Sequence, residues 1–287
     1  MADRIEVLKT YKTYIGGKFP RSESDRTYQI KDGKGKHIAN ACRCSRKDVR
    51  DAVVTARSAF GGWSSRSAYN RGQVLYRIAE MLEGRKDQFL KELQLAGIKE
   101  KDAKHEVHTA IDRVIYFAGW TDKISQVFGT VNPVASAHFN FSSPDATGVV
   151  GIIAPEEYPL LSAISMIAPV IAGGNCCVLL ASETNPLPVV SFGEVLHASD
   201  VPAGVVNILT GYRSETAETI SSHKDVNALF SSISDNKFRK LIDENASISV
   251  KRTEHYTPDE WYSDDHENPY LVLKFMETKT TWHPVGF

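Results

Sequence analysis

From Gly148 onward, short continuous apolar runs alternate with longer segments whose apolar residues recur at three and four positions. The runs at 149–154, 176–180, 205–209 and 226–230, with a weaker one at 248–251, predict strands. The segments 160–172, 188–198, 214–222 and 235–244 predict helices between them. Short apolar strands alternating with helices imply a parallel sheet covered on both faces. Ligands of such sheets bind at the carboxyl ends of the strands.

Upstream the pattern is helical. Ser45-Arg46-Lys47-Asp48 reads as a capping box with Asp in place of Glu. It opens a helix with Val49, Ala52, Val53, Ala56, Ala59 and Phe60 on one face, which Gly61-Gly62 is expected to stop. A second helix starts near Ser67, and further helix is expected over 86–95 and 100–122. Residues 131–147 are rich in Ser, Pro, Asn and Ala, and His138-Phe139-Asn140-Phe141 alternates at period two, so a hairpin leaving the main body is expected there. After an acidic loop at 257–268, residues 270–276 read as one strand.

Length and composition narrow the classes. The chain has 287 residues, 42% hydrophobic and 24% charged, as in a globular protein of one large or two smaller domains. A formal net charge of -1 asks for neither nucleic acid nor an anionic membrane. No apolar run reaches the roughly 18–20 residues of a spanning helix, and the opening residues MADRIEVLKTYKTY lack an apolar leader. A cytoplasmic protein is expected, with Cys42, Cys44, Cys176 and Cys177 unbridged.

The candidate chemistry is sparse. Cys176-Cys177 starts a strand with no base beside it in sequence, which favours a core role over a nucleophilic one. His105-Glu106-Val107-His108 has i, i+3 histidines rather than the i, i+4 pair of a zinc helix, so a solvated helix face and no metal are expected. No glycine-rich phosphate loop is present. Ser231-Ser232-Ile233-Ser234 follows a strand and offers hydroxyls to an anion, with Ser234 read as a helix cap. Glu156 and Glu157 sit together in APEEYPLL, on the loop after the first strand of the alternating region; neighbours on a loop point apart, which argues against an acid/base dyad.

Several stretches together resemble the aldehyde dehydrogenase superfamily. They are RVIYFAGWTDKI (113–124), AFGGWSSRSAYNRGQVLYRIAEMLEGRKDQF (59–89), GVVGIIAPEEYPLLSAISMIAPVIAGGNCCVLLASE (148–183) and VPAGVVNILTG (201–211), and the resemblance runs over about residues 10–240. It implies a Rossmann-like, doubly wound parallel sheet of the family's nucleotide-binding type, formed by residues 1–130 and 148–255. It also implies a protruding oligomerisation hairpin, formed by residues 131–147 with 268–287. Glu157 falls where the family's oxyanion-binding asparagine stands, and a carboxylate has no proton to donate there. Leu180 replaces a ribose-contacting lysine, while Glu183 keeps the ribose-contacting glutamate. Bulk at Ser232 and Ile233 is expected to crowd a pyrophosphate; Ser232 and Ser234 remain candidate contacts. Glu254 lies near the place of the family's general base, in uncertain register.

With the family's catalytic domain expected to be missing, these departures suggest the shortened, non-catalytic second module of family-16 aldehyde dehydrogenases. The closing Thr278-Lys279-Thr280-Thr281-Trp282-His283-Pro284 is similar to that module's end. The implied role is that of a pseudoenzyme or assembly domain, with no cofactor expected or NAD(P) held weakly. Its partner would be a second copy or a full aldehyde dehydrogenase module, even one in the same chain. The alternative is an NAD(P)-dependent aldehyde oxidoreductase, or the cofactor-binding part of one.

Overall fold

The computed structural model describes residues 7–286. The charged opening at 1–6, read above for the absence of a leader, and Phe287 lie outside the described residues. The chain begins with β1 (Thr10–Tyr11), β2 (Thr27–Lys31) and β3 (His37–Cys42), a small sheet ordered β1-β3-β2. Helices α1 (Arg46–Ser64), α2 (Ala68–Gly84), α3 (Lys86–Leu95), α4 (Glu100–Trp120) and α5 (Ile124–Phe128) follow, then strands β4 (Thr130–Asn132) and β5 (His138–Ala146). The alternating region is β6 (Val149–Ile153), α6 (Pro159–Ala172), β7 (Cys176–Leu180), α7 (Leu187–Ala198), β8 (Val206–Leu209), α8 (Arg213–Ser222), β9 (Ala228–Ser231), α9 (Asn236–Ser247) and β10 (Arg252–His255). A short helix α10 (Tyr270–Leu273) and strand β11 (Met276–Pro284) close the described chain.

Strands β6 to β10 form one sheet in the order β10-β9-β6-β7-β8, parallel throughout. Every residue of β6, β7, β8 and β9 is buried, which is why these strands read as unbroken apolar runs. Three side-chain amides tie the amino ends of the strands. Asn175 accepts from Gly148 N–H at 2.8 Å and donates to Phe275 C=O, Asn227 accepts from Val149 N–H, and Asn207 donates to Cys177 C=O. Each satisfies backbone groups that would otherwise be costly to bury.

The third sheet, β11-β5-β4, is antiparallel and pairs nine residues of β11 with β5. The expected hairpin is therefore a three-stranded arm, completed by the C-terminal strand. That strand starts six residues later than the sequence suggested. Residues 270–273 are helical: Asn268 Oδ1 accepts from Tyr270 N–H at 2.9 Å, and Leu271 and Val272 pack into the core.

The expected strand at 248–251 is instead the turn after α9, with Val250 at φ +52°, and the pairing falls on Arg252–His255. Gly61-Gly62 does not end α1 either. The helix runs on to Ser64 because Trp63 is fully buried and its indole N–H donates to Ile171 C=O at 3.1 Å. Burying such a ring is worth more than the roughly 1 kcal/mol each glycine costs in a helix.

Candidate functional site

The carboxyl ends of β6, β7 and β8 meet in one polar network. The loop after β6 carries Glu156, the loop after β7 carries Ser182, Glu183 and Thr184, and Arg213 opens α8 after β8. Glu156 Oε2 accepts from Ser182 Oγ at 2.7 Å, Thr184 Oγ1 at 2.7 Å and Thr184 N–H at 3.0 Å. Its Oε1 accepts from Glu183 N–H at 3.2 Å and pairs with the Arg213 guanidinium at 2.5 Å. Arg213 also donates to Ala154 C=O at 2.6 Å, while its Nε is buried with no partner. Burial alone would push the Glu156 carboxyl up; the Arg213 charge and the Ser182 and Thr184 hydrogen bonds outweigh it and hold the carboxyl below its ordinary value.

Glu183 accepts from Arg213 N–H at 2.7 Å through Oε1. The contact caps the first turn of α8. Its Oε2 has no hydrogen-bond partner among the described residues. Glu157 points elsewhere: it is exposed and reaches a cavity of about 950 Å³ beside the ends of β6 and β7. Tyr158, Tyr262, Asp102, Thr184 and Asn185 share that lining. The two adjacent glutamates thus diverge, Glu156 into an ion pair and Glu157 toward open space.

The cavity wall is built on an unusual helix start. Tyr158 precedes α6 in the left-handed region, at φ +49°, directly before Pro159. Glu106 Oε1, reaching over from α4, accepts from Leu160 N–H at 2.9 Å and Leu161 N–H at 3.2 Å. Burial raises the Glu106 carboxyl to about 7, against the pull of the Leu161 and Leu160 hydrogen bonds. The segment expected to be a solvated face is thus divided. His105 and His108 are exposed, with His105 stacked on Tyr262 at 4.1 Å, whereas Glu106 is buried and structural.

The turn after β9 corrects a second expectation. Ser232 is buried, and its N–H donates to Ile153 C=O at 2.9 Å. Ile233 folds into the hydrophobic core. Both side chains are folded inward rather than exposed at the strand end. Ser234 is exposed but is not the cap of α9; Asp235 accepts from Lys237 and Phe238 N–H in that role. Glu254, near the end of β10, pairs with Lys274 at 3.1 Å and lines a shallow groove with Tyr270 and Leu273.

Cys176 and Cys177 lie wholly buried in β7, and burial pushes the Cys176 thiol up to about 12 and raises Cys177 as well. The other two cysteines are also buried and free. No cluster of metal-binding side chains occurs among the described residues. A second groove, of about 780 Å³ between α2 and α4, contains none of the candidate residues.

Sequence reasoning missed Arg213 and Glu106. A lone cation immediately after a buried strand end was the available signal for Arg213. Glu106 carried none, because its burial depends on where α6 begins.

Glu183 offers a carboxylate oxygen with no protein partner, at the position where parallel-sheet dinucleotide-binding folds read ribose hydroxyls.

Comparison with known proteins sharpens this picture. The model of the aldehyde dehydrogenase family matches residues 19–254. A putative aldehyde dehydrogenase, DhaS of Bacillus subtilis, is 31% identical over 248 residues, 85% of this chain and 49% of that protein. The cytosolic 10-formyltetrahydrofolate dehydrogenase of Mus musculus is 32% identical over 232 residues, 78% of this chain and 25% of that protein. The structure of betaine aldehyde dehydrogenase from Staphylococcus aureus in complex with NAD+ is similar with a TM-score of 0.82 at 26% identity, covering 86% of this chain and 49% of that one.

The chain spans about half the length of DhaS and of the betaine aldehyde dehydrogenase. These likenesses overturn the reading of a non-catalytic family-16 module, a pseudoenzyme without cofactor. The matches are to dehydrogenases, one of them an NAD+ complex, and the turn that was to exclude a pyrophosphate folds inward. The same likenesses count against the expectation of a missing catalytic domain. The chain belongs to the aldehyde dehydrogenase family.

Proposed function

We propose that this chain forms the cofactor-binding part of an NAD(P)-dependent aldehyde oxidoreductase. The observation that carries the reading is Glu183, at the carboxyl end of β7 in an all-parallel sheet, with one oxygen capping α8 and the other unpartnered. When bound, the nicotinamide would supply the hydride acceptor. Glu183 would accept from the ribose hydroxyls, and the exposed Ser234 hydroxyl would face the phosphates from the turn after β9. Tyr158 and Tyr262, set edge-to-face at 5.1 Å, would wall the neighbouring cavity against water.

Titration of the chain with NADH, followed by nucleotide fluorescence, tests the reading. Saturable micromolar binding is expected. Glu183→Ala should weaken it at least about tenfold, as loss of a charged hydrogen-bond acceptor does. Absence of saturation at millimolar NADH would overturn the proposal.

Two further features belong to the same reading. The arm formed by β4, β5 and β11 serves assembly, with a second copy or another aldehyde dehydrogenase module. The location is the cytoplasm, as the name of the mouse relative states for that protein. No helix among the described residues is long and apolar enough to cross a membrane.

A further inference from the structure

A cation stands beside the ribose-reading carboxylate, and it is already engaged. Parallel-sheet dinucleotide sites read an unmodified ribose with an acidic side chain and accommodate a 2′-phosphate with a nearby arginine. This chain has both elements in one network: Glu183 holds the backbone N–H of Arg213, and the Arg213 guanidinium turns to Glu156 and Ala154 C=O. Glu156 is the fixed partner of the pair. Four hydrogen bonds from Ser182, Glu183 and Thr184 hold it to the loop after β7. The Arg213 side chain is only 13% exposed, and its Nε lies buried without a partner.

We propose that Glu156 latches Arg213 away from the ribose and thereby makes the site favour NAD+ over NADP+. The inference rests on the dinucleotide-binding reading above. A guanidinium already neutralised by a carboxylate has little charge left for a 2′-phosphate. Glu156 on the guanidinium and Glu183 on the Arg213 backbone N–H are both carboxylates, and they repel that phosphate. Without the Glu156 charge, Arg213 keeps its place at the start of α8 and presents a fork suited to a phosphate.

Isothermal titration of NAD+ and NADP+ into the whole chain reads this out as a ratio of affinities, with no turnover needed. The wild type should prefer NAD+. Glu156→Gln keeps the shape and the Ser182 and Thr184 donors, and should shift the ratio toward NADP+ by at least about tenfold, the gain of a charge-assisted contact. Adding Arg213→Gln to that variant should abolish the shift. Thr184→Val leaves both charges but loosens the grip on Glu156, so a smaller shift in the same direction is expected, which keeps the test open should Glu156→Gln fold poorly. An unchanged ratio in both single variants, with NAD+ still bound, would overturn the latch alone. A wild type that binds neither dinucleotide would overturn the latch and the reading beneath it.

Discussion

Glu106 is a buried carboxyl set against the first turn of α6, where two backbone N–H groups and the helix dipole favour its ionised form and burial opposes it. Burial wins, and the group titrates near pH 7 in the folded chain. The folded state therefore binds this proton more tightly than the unfolded chain. The stability it contributes is fully present below the ordinary glutamate value and is lost as pH rises through about 7. The loss is on the order of 3 kcal/mol between pH 4.5 and 7. Glu106→Gln, which still accepts from Leu160 and Leu161, should flatten the fall in urea-unfolding stability over that range; a slope equal to that of the wild type would contradict the assignment. Little at this scale was legible beforehand. The divergence of Glu156 and Glu157 was anticipated from loop geometry, but the partner of Glu156 was not, because Arg213 is 57 residues away in sequence and only the sheet order brings it near.

Among the elements, β6 to β9 were readable because full burial leaves an unbroken apolar run with few alternatives. The errors fall where tertiary contacts override local preference. Trp63 pulls α1 through two glycines, and Asn268 with Pro269 starts a helix in a segment rich in β-formers. The arm was legible as a departure from the core but not as three strands, since β11 comes from the far end of the chain. Its outer strand β11 leaves nine residues at a sheet edge, and Val131 of β4, Phe139 of β5 and Trp282 of β11 are exposed on the arm. Proteins normally cover such an edge, so assembly through the arm predicts a concentration-dependent oligomer in sedimentation. Trp282→Glu should shift the chain toward monomer without lowering its melting temperature; a wild type that stays monomeric at all concentrations would contradict this role.

At the scale of the molecule, the parallel sheet sets its strand ends as one polar crest between two helical groups. One is α1 with α8 and α9; the other is α6 and α7 with α2, α3 and α4. That crest gathers Glu156, Glu183 and Arg213, residues with no sequence motif in common. Family resemblance pointed to Glu183, whereas the Arg213 network emerged only from the fold. The central claim is that a dinucleotide binds there. Hydrogen exchange of the whole chain with and without saturating NAD+ tests it most directly. The account predicts slowed exchange at residues 182–184 and 211–214, around the Glu183–Arg213 contact. Unchanged exchange at those residues in millimolar NAD+, or protection confined to the groove between α2 and α4, would contradict it.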